Sequence, residues 1–302
     1  MRHLLDLSAA GSPVLQELLD LARRRDLPRV LEGRGVALLF EKPSARTRHA
    51  TEMAVVQLGG HPVSVRGEEV GLDSRETAED LVRTLAQYHA VVGARVGDHE
   101  LLERMAGEDV VPVLNLLSDR SHPCQALADL LTLRDEFGRV DGLEIAFVGD
   151  AANNVARSLA EGCVLSGAHI RLCGPEGHVP DREEVDRIAL LGPGSVEVVG
   201  ELGEAVDGVH AVYTDVWVSM GQERERESRA AAMQPYRVDE SLMGRARPDA
   251  IFLHCLPAHR GEEVTAGVID GPRSRVWQQA RNRLDAARAV LAWLAAPGAS
   301  DA

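Results

Sequence analysis

Val36-Ala37-Leu38-Leu39-Phe40-Glu41-Lys42-Pro43-Ser44-Ala45-Arg46-Thr47-Arg48 sets the pattern for this chain. Its first five residues are an apolar run of strand length, and the segment after Ser44 has helical spacing as far as the stop at Gly59-Gly60. Ser44 is the natural N-cap. The backbone N–H groups of Ala45, Arg46 and Thr47 then stand at the positive end of a helix, beside two guanidinium groups and two hydroxyls. Cationic side chains there oppose the helix dipole, so an anion, phosphate first, would complete the arrangement. Neither Gly-x-x-x-x-Gly-Lys nor Gly-x-Gly-x-x-Gly stands here, and an ordinary serine cap on a solvated basic turn fits the same residues.

The strand-then-helix alternation continues along the whole chain. Apolar runs predict strands at 36–40, 61–65, 90–94, 110–114, 144–148, 169–173, 196–199, 211–214 and 251–254. Helical spacing predicts helices at 75–88, 100–105, 124–137, 154–166, 182–190, 239–245 and 276–294. No helix is assigned before residue 36. This is the pattern of parallel sheets with crossover helices, an α/β fold. The glycines of Gly138-Arg139-Val140-Asp141-Gly142 divide it into two doubly wound parallel-sheet domains joined by two bridging helices. The expected division is 1–140 and 141–274, with 275–302 packing back on the first domain as the second bridge and a disordered tail after residue 296. Ligands of open parallel sheets bind beyond the carboxyl ends of the strands, so the chemistry is sought in those loops.

At 302 residues with 45% hydrophobic content, the chain suits about two compact domains. A formal net charge of −14 argues against general nucleic-acid or anionic-membrane binding, so an anionic substrate needs a local pocket. Without an uninterrupted apolar leader or a run of about 18 apolar residues, the expected location is cytoplasmic. Cys124, Cys163, Cys173 and Cys255 form no Cys-x-x-Cys pair, against a disulfide framework or structural zinc. Cys163 and Cys173 read as core residues, whereas Cys124 and Cys255 read as residues of polar loops beside His and Pro.

Four loops stand out besides the helix start. Ser121-His122-Pro123-Cys124-Gln125 opens the first bridging helix and offers imidazole and amide groups to a ligand oxygen. Asp215-Val216-Trp217-Val218-Ser219-Met220-Gly221 puts a carboxylate at a strand end, which suits an ammonium group or an Asx turn. His254-Cys255-Leu256-Pro257-Ala258-His259-Arg260-Gly261-Glu262-Glu263 holds potential metal ligands, but its spacing fits neither a His-Glu-x-x-His helix nor a zinc knuckle, and no metal is expected. Gly149-Asp150-Ala151-Ala152-Asn153-Asn154 follows a strand without the dinucleotide fingerprint, leaving a nicotinamide-dependent dehydrogenase as a distant rival.

Taken together, these residues resemble the ornithine carbamoyltransferases of the aspartate and ornithine carbamoyltransferase superfamily. Residues 40–48 resemble that family's Ser-Thr-Arg-Thr-Arg loop, and residues 122–125 its His-Pro-x-Gln. Residues 215–221 are similar to its Asp-x-x-x-Ser-Met-Gly segment, 254–257 to its His-Cys-Leu-Pro, and 282–283 to the Asn-Arg of its last helix. The resemblance implies that Ser44, Ala45, Arg46 and Thr47 hold the phosphate of carbamoyl phosphate. Arg95 and His122 would contact the carbamoyl oxygen, with Arg95 also reaching the phosphate. Gln125, Arg283 and backbone carbonyls near Cys255 and Leu256 would orient the carbamoyl amino group. Asn154, Asp215, Ser219 and Met220 would hold the α-amino and carboxylate ends of ornithine, with Asp215 and Cys255 near its reacting amine. The family's work needs no cofactor and implies a homotrimer or an assembly of trimers, in which the 69–75 loop reaches a neighbouring site. Two departures stand out: Ala45 replaces the usual threonine, and Arg281 and Asp285 replace the usual glutamate and histidine around Arg283. A sister carbamoyltransferase acting on putrescine, an acylated ornithine or aspartate is the nearest rival.

Overall fold

The computed structural model describes residues 1–218 and 226–296. Contacts divide it into two compact units, Met1–Ala128 with the segment from Asn282, and Asp129–Arg281. The expected disordered tail after residue 296 lies outside the described residues.

Unit 1 opens with α1 (Leu7–Arg23), then β1 (Gly35–Phe40), α2 (Ala45–Gln57), β2 (His61–Arg66), α3 (Gly67–Val70), α4 (Ala78–Leu85), β3 (His89–Arg95), α5 (His99–Gly107) and β4 (Val113–Leu117). The strands form a parallel sheet in the order β2-β1-β3-β4. Strands β1 and β3 are buried almost throughout, as helices on both faces require, and they read as continuous apolar runs. Edge strand β2 is only partly covered. Helix α6 (Pro123–Phe137) crosses from unit 1 into unit 2.

Unit 2 continues with β5 (Glu144–Val148), α7 (Asn154–Leu165), β6 (His169–Cys173), α8 (Arg182–Ala189), β7 (Ser195–Val198), α9 (Leu202–Val206), β8 (Ala211–Thr214), α10 (Arg226–Met233), α11 (Glu240–Met243), β9 (Ile251–Leu253) and α12 (Ala266–Ile269). Its parallel sheet runs β7-β6-β5-β8-β9. Helix α13 (Val276–Ala295) starts in unit 2 and ends in unit 1, so α6 and α13 are the two helices shared by both.

All nine expected strands are present among the described residues, with one clear shift. Residues 110–114 were expected, but the ladder begins at Val113, opposite Val92. Pro112 has no N–H to give a ladder, and Val110 is exposed behind Asp109, whose φ of 50° bends the chain away. The strand then runs through the polar Asn115, whose buried amide donates to the Leu5 carbonyl at 2.8 Å. The helix expected at 75–88 is shorter because Thr77 caps it, accepting from the Asp80 N–H at 3.1 Å. Helix α1 was not expected at all. Its buried stripe of Leu15, Leu18, Leu19 and Ala22 follows Gly11, at φ 73°, and Pro13, which punctuate the sequence as a loop would. Cys163 and Cys173 lie in the core as expected, but Cys124 is buried inside α6 rather than in a polar loop, and burial pushes its thiol up to about 11.

In both sheets the strand order reverses once. In unit 1 the reversal falls between β1 and β3, and in unit 2 between β5 and β8. Crevices at the carboxyl ends of such strand pairs are where these folds bind ligands. In unit 2 the loop after β5 is tied to β6 by the Gly149 N–H, which donates to the Cys173 carbonyl at 2.9 Å. A Cβ at Gly174 would collide with the Gly149 carbonyl oxygen and stand 3.1 Å from that of His178. Gly174→Ala is therefore expected to lower unfolding free energy by about 1–3 kcal/mol, because backbone must move to accept the methyl group. Urea denaturation measures it, and an unchanged midpoint would show that the two loops yield freely.

Candidate active site

In unit 1, the carboxyl ends of β1 and β3 deliver Phe40 and Arg95 side by side in register. The chain leaves β1, and Glu41 turns back to accept from the Gly97 N–H at 2.7 Å while its own N–H donates to the Arg95 carbonyl at 3.0 Å. Helix α2 then starts at Ala45 with Ser44 as its N-cap. The Ser44 hydroxyl accepts from the Thr47 N–H at 3.4 Å, so Thr47 N–H belongs to the cap. Arg46 is exposed at this end, whereas Arg48 is taken by Glu52 at 2.8 Å one turn along α2.

His122 enters from the loop before α6. That loop is fixed by the fully buried Asn115, whose amide reaches both the Ser118 hydroxyl and the Ser121 carbonyl at 3.2 Å. The His122 carbonyl accepts from the Gln125 and Ala126 N–H groups, and Pro123 takes the first helical position, where a missing donor costs nothing. Arg283, on α13 and only 6% exposed, donates to the Thr47 hydroxyl at 2.8 Å and to the Gln125 side-chain oxygen. A guanidinium has donors only, so Thr47 keeps its own O–H for something else, and the Gln125 amide is fixed with its oxygen toward Arg283.

Burial holds His122 well below the usual imidazole range, and the charges of Arg283, Arg95 and Arg46 push it further down. The contacts set the placement: Arg283 joins Thr47, next to Arg46 in α2, to Gln125, three residues after His122, and β3 brings Arg95 beside the end of β1. The structure thus brings Arg46, Thr47, Arg95, His122, Gln125 and Arg283 to one place, with Ser44 and Ala45 at the helix end beside them. A cationic cluster with a neutral imidazole N–H is an anion site with a directional donor for a carbonyl-type oxygen.

In unit 2, β8 and β9 pair with Tyr213 opposite Leu253, so Asp215 and Cys255 follow two residues later on neighbouring strand ends. The Cys255 thiol donates to Asp215 Oδ1 at 2.9 Å. The same oxygen accepts from the Val216 N–H at 2.8 Å, and Oδ2 accepts from the Asn153 amide at 3.1 Å. Asn153 also caps α7, its oxygen accepting from the Val155 and Ala156 N–H groups. The asparagine bonded to Asp215 is Asn153; its neighbour Asn154, expected to hold ornithine, follows at the first position of α7, where its carbonyl accepts from the Ser158 hydroxyl. Leu256, after Cys255, takes the left-handed conformation at φ 61°. Ser219 and Met220, expected here, lie outside the described residues.

Both ring nitrogens of His254 are engaged within the chain, Nδ1 by the Leu256 N–H and Nε2 beside Glu263, although one of them lies within 4.8 Å of the Asp215 carboxylate and the Cys255 thiol. Sequence reasoning passed over Asn115, Asn153, Glu263 and Gln279, which hold site residues rather than present themselves. The signal available for Asn153 was its cap position, two residues ahead of the apolar periodicity of α7.

Residues 2–135 match the family model for aspartate/ornithine carbamoyltransferase, carbamoyl-P binding domain, and residues 141–294 the one for aspartate/ornithine carbamoyltransferase, Asp/Orn binding domain. An ornithine carbamoyltransferase of Thermus thermophilus is 48% identical over 294 residues, covering 96% of this chain and 95% of that protein. One from Pyrococcus furiosus, described as anabolic, is 46% identical over 267 residues, 87% of this chain and 84% of its own. A solved ornithine carbamoyltransferase structure from Pyrococcus furiosus superposes with a TM-score of 0.92 at 42% identity, covering 96% of each chain. With both halves matched in order and each carrying its own cluster of polar side chains at the strand reversal, the chain belongs to the aspartate/ornithine carbamoyltransferase family.

Proposed function

We propose that this protein is an ornithine carbamoyltransferase, moving the carbamoyl group of carbamoyl phosphate to the side-chain amine of L-ornithine and yielding L-citrulline and phosphate. The observation that carries the reading is the Cys255 thiol donating to Asp215 at 2.9 Å at a strand end built to receive an amine. Similarity to relatives named for this activity supports it.

In this reading unit 1 takes the anion. Ser44, Ala45, Arg46 and Thr47 at the α2 N-terminus hold the phosphate, joined by Arg95. Arg95, the Thr47 hydroxyl and the neutral His122 donor face the carbamoyl oxygen, where negative charge grows as the amine attacks. Gln125, fixed by Arg283, orients the carbamoyl amino group, with the Cys255 and Leu256 carbonyls as further acceptors. Unit 2 takes the amine. An amine like that of lysine, with a pKa near 10.4, attacks only after losing a proton, and the Cys255–Asp215 pair is the acceptor. Phosphate then leaves into the arginine cluster.

The same proposal includes a cytoplasmic homotrimer or assembly of trimers, with the 69–75 loop serving a neighbouring site. Met53 and Val56, three positions apart on α2, are 48% and 50% exposed, and association would cover such apolar surface. Among the described residues, no helix is long and apolar enough to cross a membrane.

Citrulline formation from carbamoyl phosphate with a panel of amines tests the substrate. Ornithine is expected to be preferred over putrescine, acetylornithine and aspartate, and equal rates with putrescine would overturn the assignment. Arg46→Ala is expected to weaken carbamoyl phosphate binding about ten- to hundredfold, the loss of a charge-assisted contact of about 1.5–3 kcal/mol. Cys255→Ser should instead lower kcat and leave carbamoyl phosphate affinity nearly unchanged, because a hydroxyl replaces the acidic thiol. Steady-state kinetics of the two variants separate anion binding from proton removal, and matching kinetic defects would remove the distinction.

The buried His122 also predicts a pH dependence of stability. Its folded-state pKa is depressed, so below about pH 6.5 the unfolded chain binds a proton that the folded protein refuses. Stability is lost as pH falls through that point, by at most about 1.4 kcal/mol per pH unit for one group. Burial lowers His89, His99 and His210 as well, so His122→Gln should make the decline between pH 7 and 5 shallower without abolishing it. Unfolding free energies at several pH values measure the slope, and an unchanged slope would show that His122 is no part of it.

A further inference from the structure

The turn that carries Cys255 is held by a side chain that the chemistry above leaves idle. His254 and Glu263 are both wholly buried, with side-chain exposures of 0%. His254 Nδ1 accepts from the Leu256 N–H at 2.9 Å. A backbone amide only donates, so Nδ1 carries no proton and the neutral ring bears it on Nε2. That nitrogen stands 3.2 Å from Glu263 Oε1, which also accepts from the His259 N–H at 2.6 Å. The backbone of His254 is held separately, its N–H donating to the Gln279 side-chain oxygen at 2.9 Å, while the Gln279 amide donates to the buried Asp129 at 2.7 Å.

The ring of His254 therefore spans Cys255, bonding the residue beyond it. Leu256 sits at φ 61°, a conformation that a leucine adopts only when its surroundings impose it. The Leu256 N–H bond to His254 is such an imposition, and it sets the direction in which the intervening Cys255 points.

We propose that His254 is a positioning residue: its ring, fixed as the Nε2–H tautomer by Glu263, holds the Cys255–Leu256 turn so that the thiol faces Asp215. The proposal rests on the carbamoyl-transfer reading only for its kinetic consequence, since the thiol's placement is a property of unit 2 itself.

Two substitutions separate the ring's two contacts. His254→Asn puts an amide oxygen near the place of Nδ1 and can still accept from the Leu256 N–H, whereas His254→Gln reaches toward Glu263 and gives up that acceptor. Cys124, Cys163 and Cys173 are buried, so iodoacetamide under native conditions reads Cys255. His254→Gln is expected to lower kcat at least about tenfold, leave the KM for carbamoyl phosphate within about twofold, and change the alkylation rate of Cys255 severalfold. His254→Asn should return both kcat and alkylation to within about threefold of the unsubstituted protein. Glu263→Gln, of the same size and still offering an oxygen to Nε2–H, is the milder probe should a His254 variant fail to fold, and is also expected to stay within about threefold. Equal losses in the Asn and Gln variants, unchanged alkylation in His254→Gln, or a Glu263→Gln defect with unaltered folding as deep as that expected of His254→Gln would each overturn the proposal. Should the unsubstituted protein form no citrulline, the functional reading fails, and the alkylation comparison still decides the role of His254.

Discussion

Burying a guanidinium is costly unless its donors are matched, and in unit 1 the placement of Arg283 follows from meeting that condition. At 6% exposure it must find acceptors, and it takes them from Gln125 on α6 and Thr47 on α2. Three helices are thereby fixed at one point. The bond to Thr47 holds the first turn of α2, the turn proposed to receive the anion, and the bond to Gln125 fixes the start of α6, where His122 stands. The cluster gathers positive charge in a chain whose formal net charge is −14. Its attraction for an anion is local, made by placed side chains rather than by the field of the whole molecule.

A neutral imidazole among three arginines follows from the same electrostatics. Removal from water already disfavours the charged ring, and each guanidinium adds to the penalty. His122 remains a neutral donor at ordinary pH, so it can polarise a carbonyl oxygen without a proton transfer of its own. Were it charged, it would add a fourth cation to the site and compete for the phosphate.

Much of this was legible in the sequence because parallel strands covered on both faces have to be apolar throughout. Residues 145–148 and 211–214 could be delimited on that ground alone, whereas 169–173 alternates, with His169 and Arg171 only partly buried. The helix starts at Ser44 and at His122-Pro123 were legible because capping and proline at the first position are local rules. What was not legible depends on distant partners. Asn115 looked like the end of a strand, yet it lies inside β4 and satisfies its amide on Leu5, more than a hundred positions away. Glu263 and Gln279 look like surface residues of a loop and a helix, and only the fold carries them beneath His254. The role of Asn153 is hidden in the same way: as the cap of α7 it turns its side chain back over the helix end and reaches Asp215, 62 positions further on.

The hydrogen bonds of Asp215 also fix where an amine can come. An ionised carboxylate offers about four lone-pair positions. Oδ1 has both of its own filled, by the Cys255 thiol and the Val216 N–H, and Oδ2 has one filled by Asn153. Among the described residues, one position on Oδ2 is left, on a side chain 5% exposed at the carboxyl end of β8. In the proposed reading, an ammonium group entering there would complete the carboxylate and lie next to the thiol that shares it. Carboxylate and thiol therefore act through different atoms of one small unit. In the proposed reading, Asp215 would attract the cation through Oδ2 while Oδ1 keeps the thiol oriented, and the loop behind Cys255 would keep that second contact from relaxing when the first is made.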